Sequence, residues 1–240
     1  MIERLVKLNG HQFDLEQLSE HFTSDELNVR RDENGSYYLR SSDFEQMSDL
    51  DAFEKRGREL VEYINGAAKL LFGSAYRSIE FDAAARIEED GRRFHTVGTS
   101  VTISGRSRVS IDTTVISADG TVEGDAPRRR DDAEALVSLA DRDDRVADAL
   151  RFYERGDWIN LYKAWEVVSD AAGGIHAVVN KGWADEDERR RFTGTVQSRA
   201  ELGDEARHAS ERYRTPKNPI TQYEAQSFVR SVIQAWIATL

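Results

Sequence analysis

The 240-residue sequence contains no cysteine at all. This absence excludes disulfides, thiolate nucleophiles and cysteine metal ligands, and it is typical of a protein from a reducing compartment. Long apolar runs are missing too: none approaches the roughly 18 residues that a membrane-spanning helix needs. The first residues, MIERLVKLNGHQFDLE, carry charges where a secretory signal has an apolar core. We therefore expect a cytoplasmic protein without a membrane partner.

Basic residues are fewer than acidic ones, 33 against 44, which gives a formal net charge of −11. The average field is repulsive toward nucleic acid and anionic membranes, so any binding of a polyanion requires a local basic patch. Hydrophobic residues make up 39% of the chain and charged residues 32%, a mixture typical of a folded protein with a strongly polar surface. A chain of this length forms one large core or two smaller ones.

The first part of the chain has the patterns of short strands and one short helix. Asn9-Gly10 and Asn34-Gly35 are each the dipeptide that a two-residue type I′ turn favours, so two hairpins are predicted. Between them, Asp14 is the predicted cap of a short helix. Three apolar residues follow one side of that helix: Leu15, Leu18 and Phe22.

A long helix and a meander are predicted next. Ser48 and Asp51 resemble a capping box, and the helix that they open is expected to end near Gly73. Its apolar residues recur at helical spacing: Phe53, Leu60, Tyr63, Ile64, Ala67 and Leu71. From residue 75 to 115 the period changes to two, which predicts a three-stranded antiparallel meander with one face under the helix. The first strand places these residues on one face: Ile79, Phe81, Ala83, Ala85 and Ile87.

Residues 117–132 are small, charged and turn-forming, which indicates a linker. Four helices are predicted beyond it, at 133–154, 157–171, 185–213 and 221–239, the last opened by a capping box of Thr221 and Glu224. The predicted fold class is α+β, with an α+β domain at 1–118 and an all-α helical bundle at 131–240. Whether the two halves fold independently stays open.

Aromatic and histidine residues give little support for a cofactor or a metal. Four large aromatics fall on two predicted helices and are expected to pack between them rather than stack on bases: Trp158, Tyr162, Trp165 and Trp236. No histidine has a second ligand residue at metal spacing. A glycine-rich phosphate loop and a serine-esterase elbow are also absent from the sequence. We expect neither metal nor cofactor.

The stretch RRRFTGTVQSRAELGDEARHASERYR, residues 189–214, is the best candidate for a functional site. One continuous helix would place Phe192, Val196, Arg199, Ala206 and Ser210 on a common face and His208 away from it. If Gly203 breaks the helix and Asp204 caps a new one, Arg207 and His208 turn inward beside Arg199. The sequence leaves both arrangements open.

Two interpretations of this cluster remain. Guanidinium groups bind phosphate and an imidazole moves a proton near neutral pH, so Arg199, Arg207 and His208 together suit a phosphate site. The alternative is a solvated helix face whose arginines pair with nearby acids. Those acids are Glu201, Asp204, Glu205 and Glu211.

The C-terminal half resembles a known family in its succession of segments. DWINLYKAWEVV is followed by RRFTGTVQSRAELGDEARH, then by the proline-marked loop PKNPITQYEA, which leads into FVRSVIQAWI. This order resembles bacterial HEPN-like helical domains, including those beside abortive-infection and other phage-defence genes. The similarity covers roughly residues 140–240.

The resemblance implies a homodimer with a composite cleft and a metal-independent ribonuclease activity. In that reaction His208 would assist attack of an RNA 2′-hydroxyl on the adjacent phosphate, Arg207 would stabilise the developing charge, and Arg199 would support it. The sequence departs from the family in one respect. Counted back from His208, the family's arginine would stand at Glu201, Leu202 or Gly203, so the strict arginine–histidine motif is absent from this segment. Arg4 and His11 have the right spacing, but they lie on either side of the predicted Asn9-Gly10 turn, and we interpret that match as chance.

Two functions therefore follow from the sequence. The first is a HEPN-like defence or stress protein that acts on RNA, as a ribonuclease with Arg199, Arg207 and His208 at its site. The second is a non-enzymatic interaction protein, whose helical domain dimerises and whose N-terminal domain binds a protein or nucleotide partner. The second function expects the three cations to be engaged in surface or intrachain ion pairs.

Overall fold

The computed structural model describes residues 3–87, 93–97, 131–208 and 215–240. Strands and helices alternate in the first part: β1 Glu3–Asn9, α1 Gln12–His21, β2 Leu27–Arg31, β3 Tyr37–Ser41, a 3-10 helix Ser42–Gln46, α2 Leu50–Phe72, β4 Glu80–Ile87 and β5 Arg93–Val97. The second part is helical: α3 Asp131–Arg142, α4 Asp144–Arg155, α5 Trp158–Ala172, α6 Ile175–Asn180, α7 Glu186–Gln197, α8 Arg199–Leu202, a 3-10 turn Gly203–Glu205 and α9 Gln222–Ile237. The predicted α+β class is confirmed.

The strands form an antiparallel sheet in the order β2-β3-β1-β4-β5. The predicted hairpin at Asn34-Gly35 is confirmed, but its loop is longer than two residues. Asp32 donates its backbone N–H to Ser36 O at 2.8 Å, so three residues lie in the loop, and Gly35 takes a φ of 83°. The Asp32 carboxylate also accepts the N–H groups of Asn34 and Ser36, which stabilises the wider turn.

The hairpin predicted at Asn9-Gly10 is wrong. β1 ends at Asn9, two residues follow, and α1 begins at Gln12, while β1 pairs with β3 and β4 instead of the next segment. Gly10 serves a close approach: a Cβ there would lie 2.9 Å from Ile79 Cγ2. A glycine is needed at this point for space rather than for a type I′ turn.

Asp14 does not cap α1. His11 occupies the N-cap position, and Asp14 lies inside the first turn, where burial raises the pKa of its carboxyl group. The predicted apolar side is confirmed, since Leu15, Leu18 and Phe22 are all buried.

α2 is the element that both halves share. It is capped by Asp49, which accepts the N–H of Ala52, rather than by Ser48, and it ends before Gly73 as predicted. Its two tight contacts are with different halves of the molecule: a Cβ at Gly57 would lie 2.7 Å from Val6 in the sheet, and one at Gly66 would lie 2.7 Å from Leu150 in α4. Most of the buried apolar residues accordingly form one continuous cluster from the sheet to α9.

The pairing of β4 with β5 confirms the first two strands of the predicted meander. The rest of the meander, from residue 98 to 115, and the predicted linker up to 130 lie outside the described residues. The predicted common face of the first strand is wrong. β1 pairs Leu8 with Phe81 but Lys7 with Ala83, so β4 holds an extra residue at a bulge. Phe81 and Ala84 therefore contact the main core, while Ala85 and Ile87 belong to a small cluster on the other face of the sheet.

The helical half differs from the prediction in where its helices break. The predicted helix 133–154 is divided at Asp143, whose side chain caps α4, and α6 was not predicted. The capping box of Thr221 and Glu224 at α9 is confirmed. The core role of Trp158, Tyr162, Trp165 and Trp236 is confirmed as well, since each is at most 7% exposed. None of the helices in the described ranges has the length and apolar character needed to cross a bilayer.

Candidate functional site

The segment of the predicted site is not one helix. α7 ends at Gln197, and after the short α8 the chain turns at Gly203, which takes a φ of 60°. The predicted break at Gly203 is therefore present, but Asp204 lies within a single 3-10 turn and caps no helix in the residues described up to 208. Both predicted helical arrangements are wrong because the segment folds back on α7 instead of continuing along it.

Arg207 is fixed against α5. Its backbone N–H donates to Val196 O at 2.9 Å, which holds the returning segment beside α7. Its guanidinium carbon lies 4.3 Å from the centre of the Tyr162 ring, and Nη2 donates to Glu166 Oε1 at 2.6 Å. A stacked, charge-paired guanidinium of this kind fastens the segment to the helix below it.

Arg199 and Arg207 bind different carboxylates on different elements. Arg199 begins α8, and its Nη2 lies 3.7 Å from Asp204 Oδ1 with both side chains largely exposed. An exposed pair at that distance contributes little to stability. His208 directly follows Arg207, is half-buried, and has contacts of its own. The assignment of these three residues to catalysis stays a prediction.

The neighbouring arginines of α7 are also paired. Arg189 donates two hydrogen bonds to Glu186, Arg190 contacts the same carboxylate, and Arg191 donates to Glu224 at 3.1 Å. The hydrogen bond from Arg189 lowers the pKa of Glu186 to about 2. The arginines of α7 thus form intrachain ion pairs, as the alternative interpretation predicted. Their partners are Glu186 and Glu224, which are not among the acids named from the sequence.

A cavity of about 330 Å³ lies in the N-terminal half, between the sheet and the start of α2. Its lining residues are Arg4, Ser48, Asp49, Leu50, Phe53, Ala84, Ala85 and Arg86. Arg4 and Arg86 are direct cross-strand partners of β1 and β4. The sequence alone does not point to this pair, because the bulge in β4 hides which residues of that strand face α2.

The strand alternation shows how Arg4 could have been found. Val6 and Leu8 belong to the main core, so Arg4, two residues before Val6, lies on the same face of β1. The side chain of Arg4 forms no hydrogen bond or ion pair with any part of the chain that the structure describes, whereas Arg86 has a further contact of its own. On the opposite face, the arginines are paired: Arg30 and Arg40 both contact Glu3.

Other surfaces of the described residues are less distinctive chemically. An apolar groove of about 390 Å³ lies between the end of α2, α3 and the end of α9. Near the last residue of the chain, Arg145, Lys181 and Trp183 line a shallow depression. Groups of three or more acidic or histidine side chains suited to a metal ion do not occur within the described ranges.

No protein-family model, curated protein or solved structure matches this chain. The chemistry of the candidate site therefore follows from the positions and partners of its own residues.

Proposed function

We propose that this chain is a non-enzymatic binding protein, with the helical half as a scaffold and the N-terminal α+β half as the part that recognises an anionic partner. One contrast supports the proposal. Arg207 is stacked on Tyr162 and bound to Glu166 at 2.6 Å, whereas the Arg4 side chain lines a cavity beside the sheet and has no partner among the described residues. The paired cation serves the fold, and the unpaired one is available to a ligand.

The surroundings of Arg207 do not suit phosphoryl chemistry. A guanidinium that stabilises a transition state has to meet charge that develops on the substrate. Arg207 would first have to leave Glu166, and that carboxylate would then repel the phosphate. Asp204 would repel a phosphate bound to Arg199 in the same way, but more weakly, because this pair is longer and more exposed. The dimer that the HEPN resemblance implies stays a prediction within this proposal.

Incubation with RNA tests the proposal directly. Purified protein and the variant His208→Ala are each incubated with single-stranded and structured RNA in the presence of a metal chelator, and the products are resolved by gel electrophoresis. We expect the RNA to remain intact with both proteins. Cleavage by the original chain that disappears in His208→Ala would refute the binding-protein proposal and support the ribonuclease.

A second experiment measures whether the protein binds a nucleotide without converting it. ADP is titrated into the protein in a calorimeter and recovered afterwards for chromatography. Binding with quantitative recovery of unchanged ADP supports a binding function, and conversion of the nucleotide contradicts it.

A further inference from the structure

Two like charges lie side by side where the sheet meets the start of α2. Arg4 and Arg86 are opposite each other on adjacent strands, and both line the cavity on the α2 side. Side chains in directly opposite positions have Cβ atoms about 4.5–5.5 Å apart, and like charges at that distance are destabilising. In a chain whose net charge is −11, this pair is a local exception. Such a pair is stabilised when an anion lies between the two groups.

We propose that this cavity binds the terminal phosphate group of a small phosphorylated molecule such as a nucleoside diphosphate. The inference rests on the proposed function, because it names the ligand class of the same N-terminal half. Arg4 is the primary ligand, since it lacks a partner among the described residues. Arg86 is the second cation of the site and keeps its other contact.

The start of α2 adds donors to the same cavity. Ser48, Asp49 and Leu50 line it, and α2 is 23 residues long. Asp49 satisfies two later amides: its side chain accepts the N–H of Ala52 at 2.9 Å, and its carbonyl accepts that of Phe53. The amides of Leu50 and Asp51 come earlier and have no acceptor inside the helix. These groups supplement the arginine pair, because the positive end of a helix favours an anion.

The charges of the cavity favour phosphate over carboxylate. The cavity is lined by two guanidinium groups and one carboxylate, Asp49, of which one oxygen, Oδ2, already accepts the N–H of Ala52 in capping α2. A phosphate monoester carries a charge between about −1.5 and −2 and has three acceptor oxygens, so it can bind both guanidinium groups at once. Its charge is roughly twice that of a single carboxylate. The volume of about 330 Å³ leaves room for the group to which the phosphate is attached.

Binding is tested by calorimetry with inorganic phosphate, ADP, adenosine and succinate as probes. We expect phosphate and ADP to bind, ADP more tightly, and adenosine and succinate to give no measurable heat. Arg4→Gln should weaken ADP binding at least about tenfold, because it removes a hydrogen-bonded charge pair with the phosphate. Arg30→Gln is the matched control: it changes the charge equally in the same sheet, on the opposite face, and should change the affinity less than twofold.

Thermal unfolding separates loss of the site from loss of the fold. Arg4→Gln should unfold at the same or a slightly higher Tm without ligand, because one of two neighbouring like charges is gone. ADP should raise the Tm of the original chain and of Arg30→Gln but not that of Arg4→Gln.

The outcomes distinguish this inference from the proposed function. Binding of succinate without binding of phosphate, or ADP binding that Arg4→Gln leaves intact, overturns the phosphate site while a binding function stands. Absence of any effect of phosphate and ADP on the original chain also overturns the site. RNA cleavage that depends on His208 overturns the proposed function itself, whatever the calorimetry shows.

Discussion

Arg207 in the helical half and Arg4 in the sheet differ in what surrounds the same guanidinium group. Arg207 has an aromatic ring below it and a carboxylate beside it, and its backbone is bound to α7. Arg4 has another arginine beside it and the first residues of α2 in front of it. The first arrangement is complete without a ligand. The second is improved by an anion, so residue type alone is a poor guide to a binding site.

A third arginine extends the comparison. Arg56 in α2 is only 16% exposed and contacts Asp43, Glu59 and Asp141. Burial lowers the pKa of Arg56, but the hydrogen bonds to Asp141 and Asp43 outweigh that effect and raise it. These contacts join the 3-10 helix, α2 and α3, so Arg56 is the arginine among the three whose removal should destabilise the fold most.

The variant Arg56→Met should lower the free energy of unfolding by about 1–2 kcal/mol, since it leaves partly buried carboxylates without their partner. Chemical denaturation monitored by circular dichroism measures the loss. The control is Arg58→Met in the same helix: Arg58 is 54% exposed and contacts Glu54 at 3.5 Å and the Phe81 ring. It should lose less than about 1 kcal/mol. Equal losses in the two variants would contradict the structural role of Arg56.

Several patterns confined to a few neighbouring residues predicted the structure correctly. The end of α2 at Gly73, the capping box of Thr221 and Glu224, and the apolar side of α1 all depend on contacts within one or two helical turns. The aromatic residues of α5 and α9 were also predicted correctly, because their helical spacing within each segment indicated that they are core residues. Local sequence determines these features directly.

The candidate site depends on contacts between distant residues, and there the sequence was a weaker guide. Arg207 and Glu166 are 41 positions apart, and nothing near Arg207 in the sequence points to that partner. Arg4 and Arg86 become neighbours only through the pairing of β1 with β4. The bulge in β4 shifts the alternation by one residue, which is a property of the paired strands and not of either sequence alone.

Removing the carboxylate partner of Arg207 tests whether this arginine has the structural role that distinguishes it from Arg4. Glu166→Gln removes the carboxylate that holds Arg207 and should reduce the free energy of unfolding by less than about 1 kcal/mol, because both side chains are partly exposed. The local effect should be clearer: the amide of Arg207, bound to Val196 O, should exchange its hydrogen several times faster, since its segment opens more often.

Asp170→Asn is the control for that measurement, because it removes the same charge from the same helix, α5, without breaking an ion pair among the described residues. It should leave the exchange of the Arg207 amide unchanged. Phosphate binding should be unaffected in both variants. If phosphate bound at a new site in Glu166→Gln alone, the ion pair with Glu166, and not the location of Arg207 in the fold, would be what prevents Arg207 from binding phosphate.

The smallest expected effect is the acid titration of the paired arginines of α7. Two hydrogen bonds from Arg189 hold the pKa of Glu186 at about 2. Because a lowered carboxyl pKa stabilises the folded state only while the group is ionised, the contribution is complete above the unfolded pKa of about 4.3 and is lost as the pH falls toward 2. NMR titration of the Glu186 carboxyl carbon measures this directly. Arg189→Gln should raise that pKa more than Arg190→Gln, since Arg189 donates two hydrogen bonds to the carboxylate and Arg190 contacts it through a single nitrogen. Equal shifts would mean that general charge rather than the Arg189 pair lowers the pKa.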